Sequence, residues 1–589
     1  MLLILDNLEQ FEHGAQVVEK LLRTAPGPRV LATSRRPLRL RGEQQYPLEP
    51  LTREAAVDQF VERARAVRPG LRLGEQERAA VERIVDGVDG LPLAVELAAA
   101  RVGTLSLTQI ADRLGSQLRL LVSGPRDLPG RQQTVRSTLQ WSYDLLDEPA
   151  RRVFAALAVF PGGATLEALE QVVPGDPGEL DLPVEELLDQ GLLRRGPDGS
   201  DRFVTLKVVR EFAAEILARG DRADVWHREA VRLADLVEES APQLTTAEPA
   251  EALDRLRAEH DNVRAALVVA TEHEPALAAR IAAGVWRYWQ MRGHLREGRA
   301  ALEAVRDHLP ADDPRACFAL YTALGGVAYW QRDLPAGEAA YAAAVRLAEQ
   351  SGDPADLAEG LYNLSFAIWQ QGRLEEATEL AERSREVFAG LGDGAGLARV
   401  LWLRGVLALL TRDLGTAERL LAEAADRHRA GTDAFHLGWS LRMLGRTYLL
   451  QGRADDARER LVESLRLFAP SGDVSALVLH LADFAMLAVL DGDVEREVRL
   501  VGAVRRIKQL TGTEIVDHPV NAVSGLEETL TRLGPEADRL LAEGAAMTDD
   551  EAVRYALHEF QPVGRHPGVH PRTAADDGIR PDLRDSLRS

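Results

Sequence analysis

Lysine is nearly missing from this chain of 589 residues: only Lys20, Lys207 and Lys508 stand among its 71 basic residues. Cysteine is reduced to Cys317 alone, which excludes a disulfide framework and fits a cytoplasmic setting. Aromatic residues make up only 5%. No apolar run reaches the roughly 18 residues a membrane span needs, so no membrane segment is predicted. Positive charge is outweighed, with a net charge of −21, which opposes binding to phosphate backbones or anionic lipid surfaces. What the chain does have is apolar residues (46%), enough for packed cores in several domains, and an abundance of Ala, Leu, Arg and Glu that favours helices.

The N-terminal residues Met-Leu-Leu-Ile-Leu-Asp-Asn form an apolar strand ending in Asp6, the form of a Walker B segment, in which an acid at the carboxyl end of a central parallel strand holds Mg²⁺. Taken alone, an ordinary buried strand followed by a helix cap would look the same. A phosphate-cradling loop needs Gly-x-x-x-x-Gly-Lys-Ser/Thr, so that backbone N–H groups wrap the phosphates and the Lys reaches their oxygens. The three lysines are followed by Leu21, Val208 and Gln509, so none fits. The expectation is a nucleotide module entered at its middle, with the phosphate loop absent. Helical spacing over 12–25, a stop at Pro26-Gly27-Pro28 and a second strand at Arg29–Thr33 predict a right-handed crossover between parallel strands. Both strands then end at one edge of the sheet, with Asp6 on one and Thr33-Ser34-Arg35 on the other. An acid for Mg²⁺ beside an Arg for a terminal phosphate is a coherent pair, although Arg35 also reads as one solvated charge among Arg36, Arg39 and Arg41.

The segments LLILDNLEQ, RVLATSR, YPLEPL and GLPLAVELAAAR occur in one order. Together they resemble the STAND class of signal-transducing NTPases, of the NB-ARC-related type found in large bacterial SARP- and LuxR-type transcriptional regulators. The resemblance implies ATP or ADP with Mg²⁺ as the cofactor of complete members. It implies Asp6 as the Mg²⁺-associated acid, Arg35 as a γ-phosphate sensor, and Gly90-Leu91-Pro92-Leu93 as a turn near the base, with Gly90 and Pro92 its defining residues. On its own terms the same turn reads as a helix entry, since proline suits a first helical turn. Asn7 stands where hydrolytic relatives often carry a second acid, so even a complete protein is expected to be a slow switch. This chain by itself is expected to bind nucleotide weakly and not to act as an enzyme.

Residues 51–115 read as amphipathic helices. Further helices at 134–146, 149–160, 165–172 and 183–190 lead to a hairpin over 191–206, a winged-helix pattern that the same regulators share. Between Arg126 and Arg219 there are 11 basic and 16 acidic residues, and Glu185, Glu186 and Asp189 lie on the helix before the wing, where DNA contacts would be basic. The expectation is an internal lid without direct nucleic-acid binding. Many relatives carry a His near the wing end; here Thr205-Leu206-Lys207 takes its place. LRAEHDNVRAAL (256–267) resembles the connector of these proteins.

The strongest internal signal is a period. Turn triplets at 331–333, 371–373, 411–413, 451–453 and 491–493 are forty residues apart. Ten residues before each turn lies Tyr321, Leu361, Leu401, Leu441 or Leu481, and six residues before it a small residue: Gly325, Ser365, Gly405, Gly445 or Ala485. Gly337, Ala377, Ala417 and Ala457 follow the first four turns. Small residues at fixed positions let paired helices cross closely, the logic of a tetratricopeptide-like (TPR-like) solenoid. A unit near Trp286–Leu302, offset by about one residue, reads as a degenerate cap. Trp330, Trp369, Trp402 and Trp439 are candidates for a concave face, or for packing between helices. His566 and His570, in a tail from Gln561 that is expected to be disordered, lack supporting ligands.

The predicted fold is mainly α: part of an α/β P-loop NTPase core (1–50), a small helical domain (51–120), a winged helix (121–210), a helical connector (211–274), a TPR-like α-solenoid (275–515), C-terminal helices (516–560) and the tail (561–589). The predicted function is a signal-sensing regulator whose repeats bind a protein or a small effector, with self-association a further use of such a face. The competing reading is a non-enzymatic scaffold with a vestigial nucleotide fold.

Overall fold

The computed structural model describes all of the chain except residues 1, 6–7, 9–12, 25–26, 28, 35–36, 47, 115–134, 176–177, 197–199, 221, 247, 311–312, 432, 514–525 and 560–589. The C-terminal tail with its two histidines therefore lies outside the described residues. The chain divides into two compact units: Met1–Arg232 with His260–Ala266, and Leu233–Glu259 with Leu267–Ser589.

The first unit opens with strand β1 (Leu2–Leu5), helix α1 (Gly14–Thr24) and strand β2 (Arg29–Ala32). The strands pair in parallel, Leu2 with Arg29 through Leu5 with Ala32, so both run to the same sheet edge. Their apolar side chains are not covered: Leu2, Ile4 and Leu31 are 60%, 64% and 55% exposed. Parallel sheets normally have both faces buried.

Four helices follow, α2 (Arg53–Val67), α3 (Glu75–Gly87), α4 (Pro92–Ala100) and α5 (Leu107–Leu114), then α6 (Val135–Asp144), α7 (Glu148–Ala156), α8 (Leu166–Val172) and α9 (Asp181–Asp189). A short antiparallel pair, β3 (Arg194–Arg195) with β4 (Phe203–Val204), precedes α10 (Lys207–Leu217). This is the helices-then-hairpin order expected from sequence. One continuous core joins these helices, with Phe60, Ile84, Phe154, Phe160 and Phe212 almost fully buried. Tyr143, Phe154 and Phe212 form an edge-packed trio at centroid separations of 5.4 to 6.0 Å, geometry that aromatic quadrupoles favour. The division between units falls within α11 (Arg222–Ser240) and α12 (Ala250–His273).

The second unit is a TPR-like array of helix pairs. The inner helix of each pair is α13 (Pro275–Arg292), α15 (Pro314–Trp330), α17 (Pro354–Gln370), α19 (Gly394–Leu410), α21 (Ala434–Leu450) or α23 (Val474–Leu490). Their partners are α14 (Leu295–His308), α16 (Leu334–Ser351), α18 (Leu374–Leu391), α20 (Leu414–Ala430), α22 (Ala454–Phe468) and α24 (Val494–Thr511). Helices α25 (Leu526–Leu533), α26 (Pro535–Ala546) and α27 (Asp549–Ala556) follow. The forty-residue turns are the links inside pairs, and the middle residue of each is left-handed: Arg332, Gly372, Arg412, Gly452 and Gly492, with φ from 58° to 80°. The small residues do what their recurrence implies. A Cβ added at Gly405 would lie 2.7 Å from Leu421, and one at Gly445 would lie 2.8 Å from Leu461. Either would push the two helices of its pair apart. Among the described residues no helix is long and apolar enough to cross a membrane.

Candidate functional site

Of the four residues singled out for nucleotide binding, Asp6 and Arg35 lie outside the described residues. The strand register does bring the ends of β1 and β2 to one edge, and Leu8 N–H and Thr33 N–H are bonded across it, to Thr33 O and Leu5 O, both at 2.9 Å. Gly90 and Pro92 are in view, in the link between α3 and α4. Asp89 and Gly90 both have positive φ, 53° and 60°. Gly90 packs on the segment leading into α2: Leu51 N–H donates to Gly90 O (3.1 Å), and a Cβ at Gly90 would sit 2.6 Å from Leu51 O. Only glycine satisfies both the dihedral and the approach. Pro92 begins α4 in its first turn, where its missing N–H costs nothing.

The residue that sequence reading missed is Asp89. Helix α10 starts after Leu206, which has no side-chain oxygen to cap it. Asp89 supplies the cap from another element: its Oδ2 accepts Lys207 N–H at 2.5 Å and Val208 N–H at 3.4 Å. A carboxylate on the free N–H groups of a helix start is favourable both as a hydrogen bond and against the helix dipole. Burial pushes the Asp89 carboxyl above its ordinary range, against the pull of the two N–H groups and of the nearby Arg210 and Lys207 charges. Burial likewise lowers Arg210 and raises Glu211 beside it. The glycine-proline turn and the stretch after the hairpin, read separately from sequence, are thus in direct contact. The helix start that could attract a phosphate is already filled by the protein's own acid.

Two further contacts hold this unit. Arg39 reaches α9, at 2.8 Å from Glu185 and 2.6 Å from Asp189. Those acids, unsuited to DNA phosphates, therefore meet an internal cation. Asn262, from the connector motif, accepts Gly162 N–H (2.7 Å) and donates to Gly163 O (3.0 Å), holding the loop before α8. Among the described residues no lysine sits in a glycine-rich loop.

No protein-family model matches the chain. The chain is similar to Rv0890c of Mycobacterium tuberculosis, which carries the name of an HTH-type transcriptional regulator, at 31% identity over 509 residues: 82% of this chain and 56% of that protein. It is similar to the regulatory protein AfsR of Streptomyces coelicolor at 27% identity over 511 residues, 80% of this chain and 45% of AfsR. The chain spans about half the length of the curated relatives it matches. Among solved structures, the STAND protein with a tetratricopeptide repeat sensor PH0952 from Pyrococcus horikoshii aligns over 92% of this chain and 80% of its own, with 16% identity and a TM-score of 0.37. The repeat fold rests on the helix pairs themselves, not on that likeness. Rv0890c and AfsR are regulators by name.

Proposed function

We propose that this chain is a signal-sensing regulator of the STAND type, in which the repeats receive a protein or small effector and the first unit relays the state of a nucleotide module. The observation that carries the reading is the similarity to named regulators across four fifths of the chain. The Asp89 cap supports it: a single carboxylate joins the turn ahead of α4 to the start of α10, so a change at either end is felt at the other. The uncovered apolar side chains of β1 and β2 are those of a sheet built to pack inside a larger α/β layer. Asp6 and Arg35, which follow β1 and β2 in the sequence, would serve Mg²⁺ and a terminal phosphate in such a layer. Acids on α9 engaged by Arg39 favour an internal lid over a DNA-reading helix.

The test is transcript profiling in the native host, comparing deletion of the whole gene with an in-frame deletion of residues 275–513. A regulator with a repeat-borne sensor changes a shared set of transcripts in both strains. A pure scaffold loses its complexes and leaves those transcript levels unchanged. Calorimetry with Mg-ATP on the purified chain supplies the second arm: binding no tighter than millimolar is expected, and micromolar affinity abolished by Asp6→Ala would overturn that expectation.

A further inference from the structure

The repeats share one register, so a departure from it is visible. Where α17, α19, α21 and α23 carry Leu357, Leu397, Leu437 and Leu477, α15 carries Cys317. Where α18, α20 and α22 carry Arg383, Glu423 and Glu463, α16 carries Ala343. Both replacements are shorter than what they replace. Both line one cavity of about 240 Å³, walled by residues of α14, α15, α16 and the link after α14. Packed interiors hold few voids larger than a water molecule. The two truncations account for this one: it is space that a leucine and a long charged side chain take up in later repeats.

The lining sorts by polarity. Leu309, Leu320 and Leu347 give an apolar wall, with Leu320 fully buried. The buried Cys317 thiol donates to Pro310 O at 3.6 Å. Two exposed guanidinium groups, of Arg306 and Arg346, complete the lining, and among the described residues no carboxylate joins them. Arg306 is paired with its neighbour Asp307 at 2.8 Å. Among the described residues none forms an ion pair with Arg346. Its charge is no fixture of the repeat, since α18 and α20 carry Glu386 and Asp426 at that position. Volume and charge together define the complement. A cavity of about 150 Å³ holds benzene, so this one has room for a ring or short alkyl chain with a small polar head. With Arg306 already matched, the unmatched Arg346 calls for a single negative charge.

We propose that this cavity binds a small amphipathic carboxylic acid, its apolar body among Leu309, Leu320 and Leu347 and its carboxylate on Arg346. The proposal rests on the reading of the repeats as the sensing module, and it names the chemical class of a small effector. An occupant touches α14 of one helix pair and both helices of the next, so binding joins two repeat units across their junction.

Cys317 is the only cysteine in the chain, so its alkylation reports on this cavity alone. The test follows labelling of the full chain by uncharged iodoacetamide, read by intact mass, with calorimetry of the same probes alongside. The probes are phenylacetate, its neutral amide phenylacetamide and the cation phenethylamine. Saturable binding of phenylacetate at millimolar concentration, with protection of Cys317, is expected, and little from the other two. Arg346→Gln should weaken binding about threefold or more, and added salt should do the same to the parent chain. Ala343→Glu, which restores the acid of α20 and α22, should abolish it. Cys317→Leu restores the leucine of later repeats; calorimetry should then show no phenylacetate binding, with a melting temperature at or above the parent's. Circular dichroism melts check the fold of each variant; should Ala343→Glu not fold, Arg346→Gln and Cys317→Leu carry the test. No phenylacetate binding by calorimetry, or binding that the folded variants leave unchanged, overturns the proposal. Equal binding of phenylacetamide also overturns it, since charge then plays no part. Each such failure leaves the regulator reading to the transcript comparison, which does not depend on this cavity.

Discussion

The helices of the repeat array and helix α10 of the first unit start in different ways. In the repeat array Asp313, Asp333, Asp353, Asp393, Asp413, Asp433, Asp473 and Asp493 each accept a backbone N–H two or three residues further on. The exceptions between α15 and α24 are Arg373 and Arg453, which instead reach back to Glu338 (2.9 Å) and Glu418 (3.0 Å) on preceding outer helices. In the first unit α10 takes its cap from Asp89, 118 residues earlier. A cap written beside its helix and repeated along the array makes stability a sum of near-neighbour terms. A cap borrowed across the fold makes one element's start depend on another's placement, which is what a relay requires.

If the array is a sum of local terms, its weak point should be a group that departs from the repeat. His428 is that group: forty residues to either side stand Phe388 and Phe468, all three buried. Burial, with the neighbouring His436 charge, lowers His428 to about 4, against the opposing pull of Asp433. The unfolded chain then takes up a proton between pH 6.5 and 4 that the folded array refuses, so stability is full near neutrality and falls on acidification through that window. The loss should reach about 3 kcal/mol. Urea unfolding followed by tryptophan emission reports mainly the array, since Trp286, Trp289, Trp330, Trp369, Trp402 and Trp439 lie in it. His428→Phe should flatten the slope; an unchanged slope would mean that the array's acid response lies elsewhere.

For the borrowed cap, Asp89→Ala should cost about 2 kcal/mol, as it removes the cap and leaves two helix-start N–H groups without their acceptor. Hydrogen exchange should accelerate at Lys207 and Val208, and at Leu51, whose bond is to the adjacent Gly90. Asp89→Asn keeps an acceptor and should cost less than half as much. The pH response has the opposite sign to that of His428. The folded carboxyl titrates above its ordinary value, so its contribution is greatest below the ordinary aspartate range and is lost as pH rises through the folded value. Asp89→Asn should erase that component from the exchange-derived opening energies. Exchange confined to α10, with the turn before α4 unaffected, would break the idea of a coupled pair.

This contrast explains what could be read in advance. The solenoid was legible because its information is local and recurs: turn triplets forty residues apart become left-handed links, and small residues become helix crossings. The helices before and after the hairpin were legible from periodicity and turn residues. Gly90 was legible as a turn, but its reason, contact with Leu51 O, was not. Asp89 gave no local sign of its partner; the one clue was that Leu206 could not cap α10. Closure of the array through Gln290 and Asp473 is invisible for the same reason, being a contact across 183 residues with no repeated counterpart. The roles of Asp6 and Arg35 remain those of the family resemblance, since both residues lie outside the described structure.

Smaller effects sharpen the contrast from the local side. Asp353→Ala removes a cap that holds Ala355 and Asp356 N–H at 2.8 and 3.3 Å, and should cost about 1 kcal/mol. Faster exchange should stay within the first turn of α17; spread to α19 or α21 would show that the array is more cooperative than a sum of neighbours.

The smallest effect separates distance from burial. Arg39 also bridges distant parts of the first unit, to Glu185 and Asp189, 146 and 150 residues away. Its side chain is 61% exposed, and Glu185 is 54% exposed. Water and salt screen such a pair, so Arg39→Ala should cost at most about 0.5 kcal/mol and nothing measurable in high salt. Asp89 makes a bridge of similar sequence span from a mostly buried position, and its loss should cost several times more. Paired urea titrations of Arg39→Ala and Asp89→Ala at low and high salt decide the matter. Equal costs would mean that any long-range bridge holds the unit together. A salt-insensitive loss at Asp89 with a vanishing one at Arg39 would mean that the connection depends on burial of the cap.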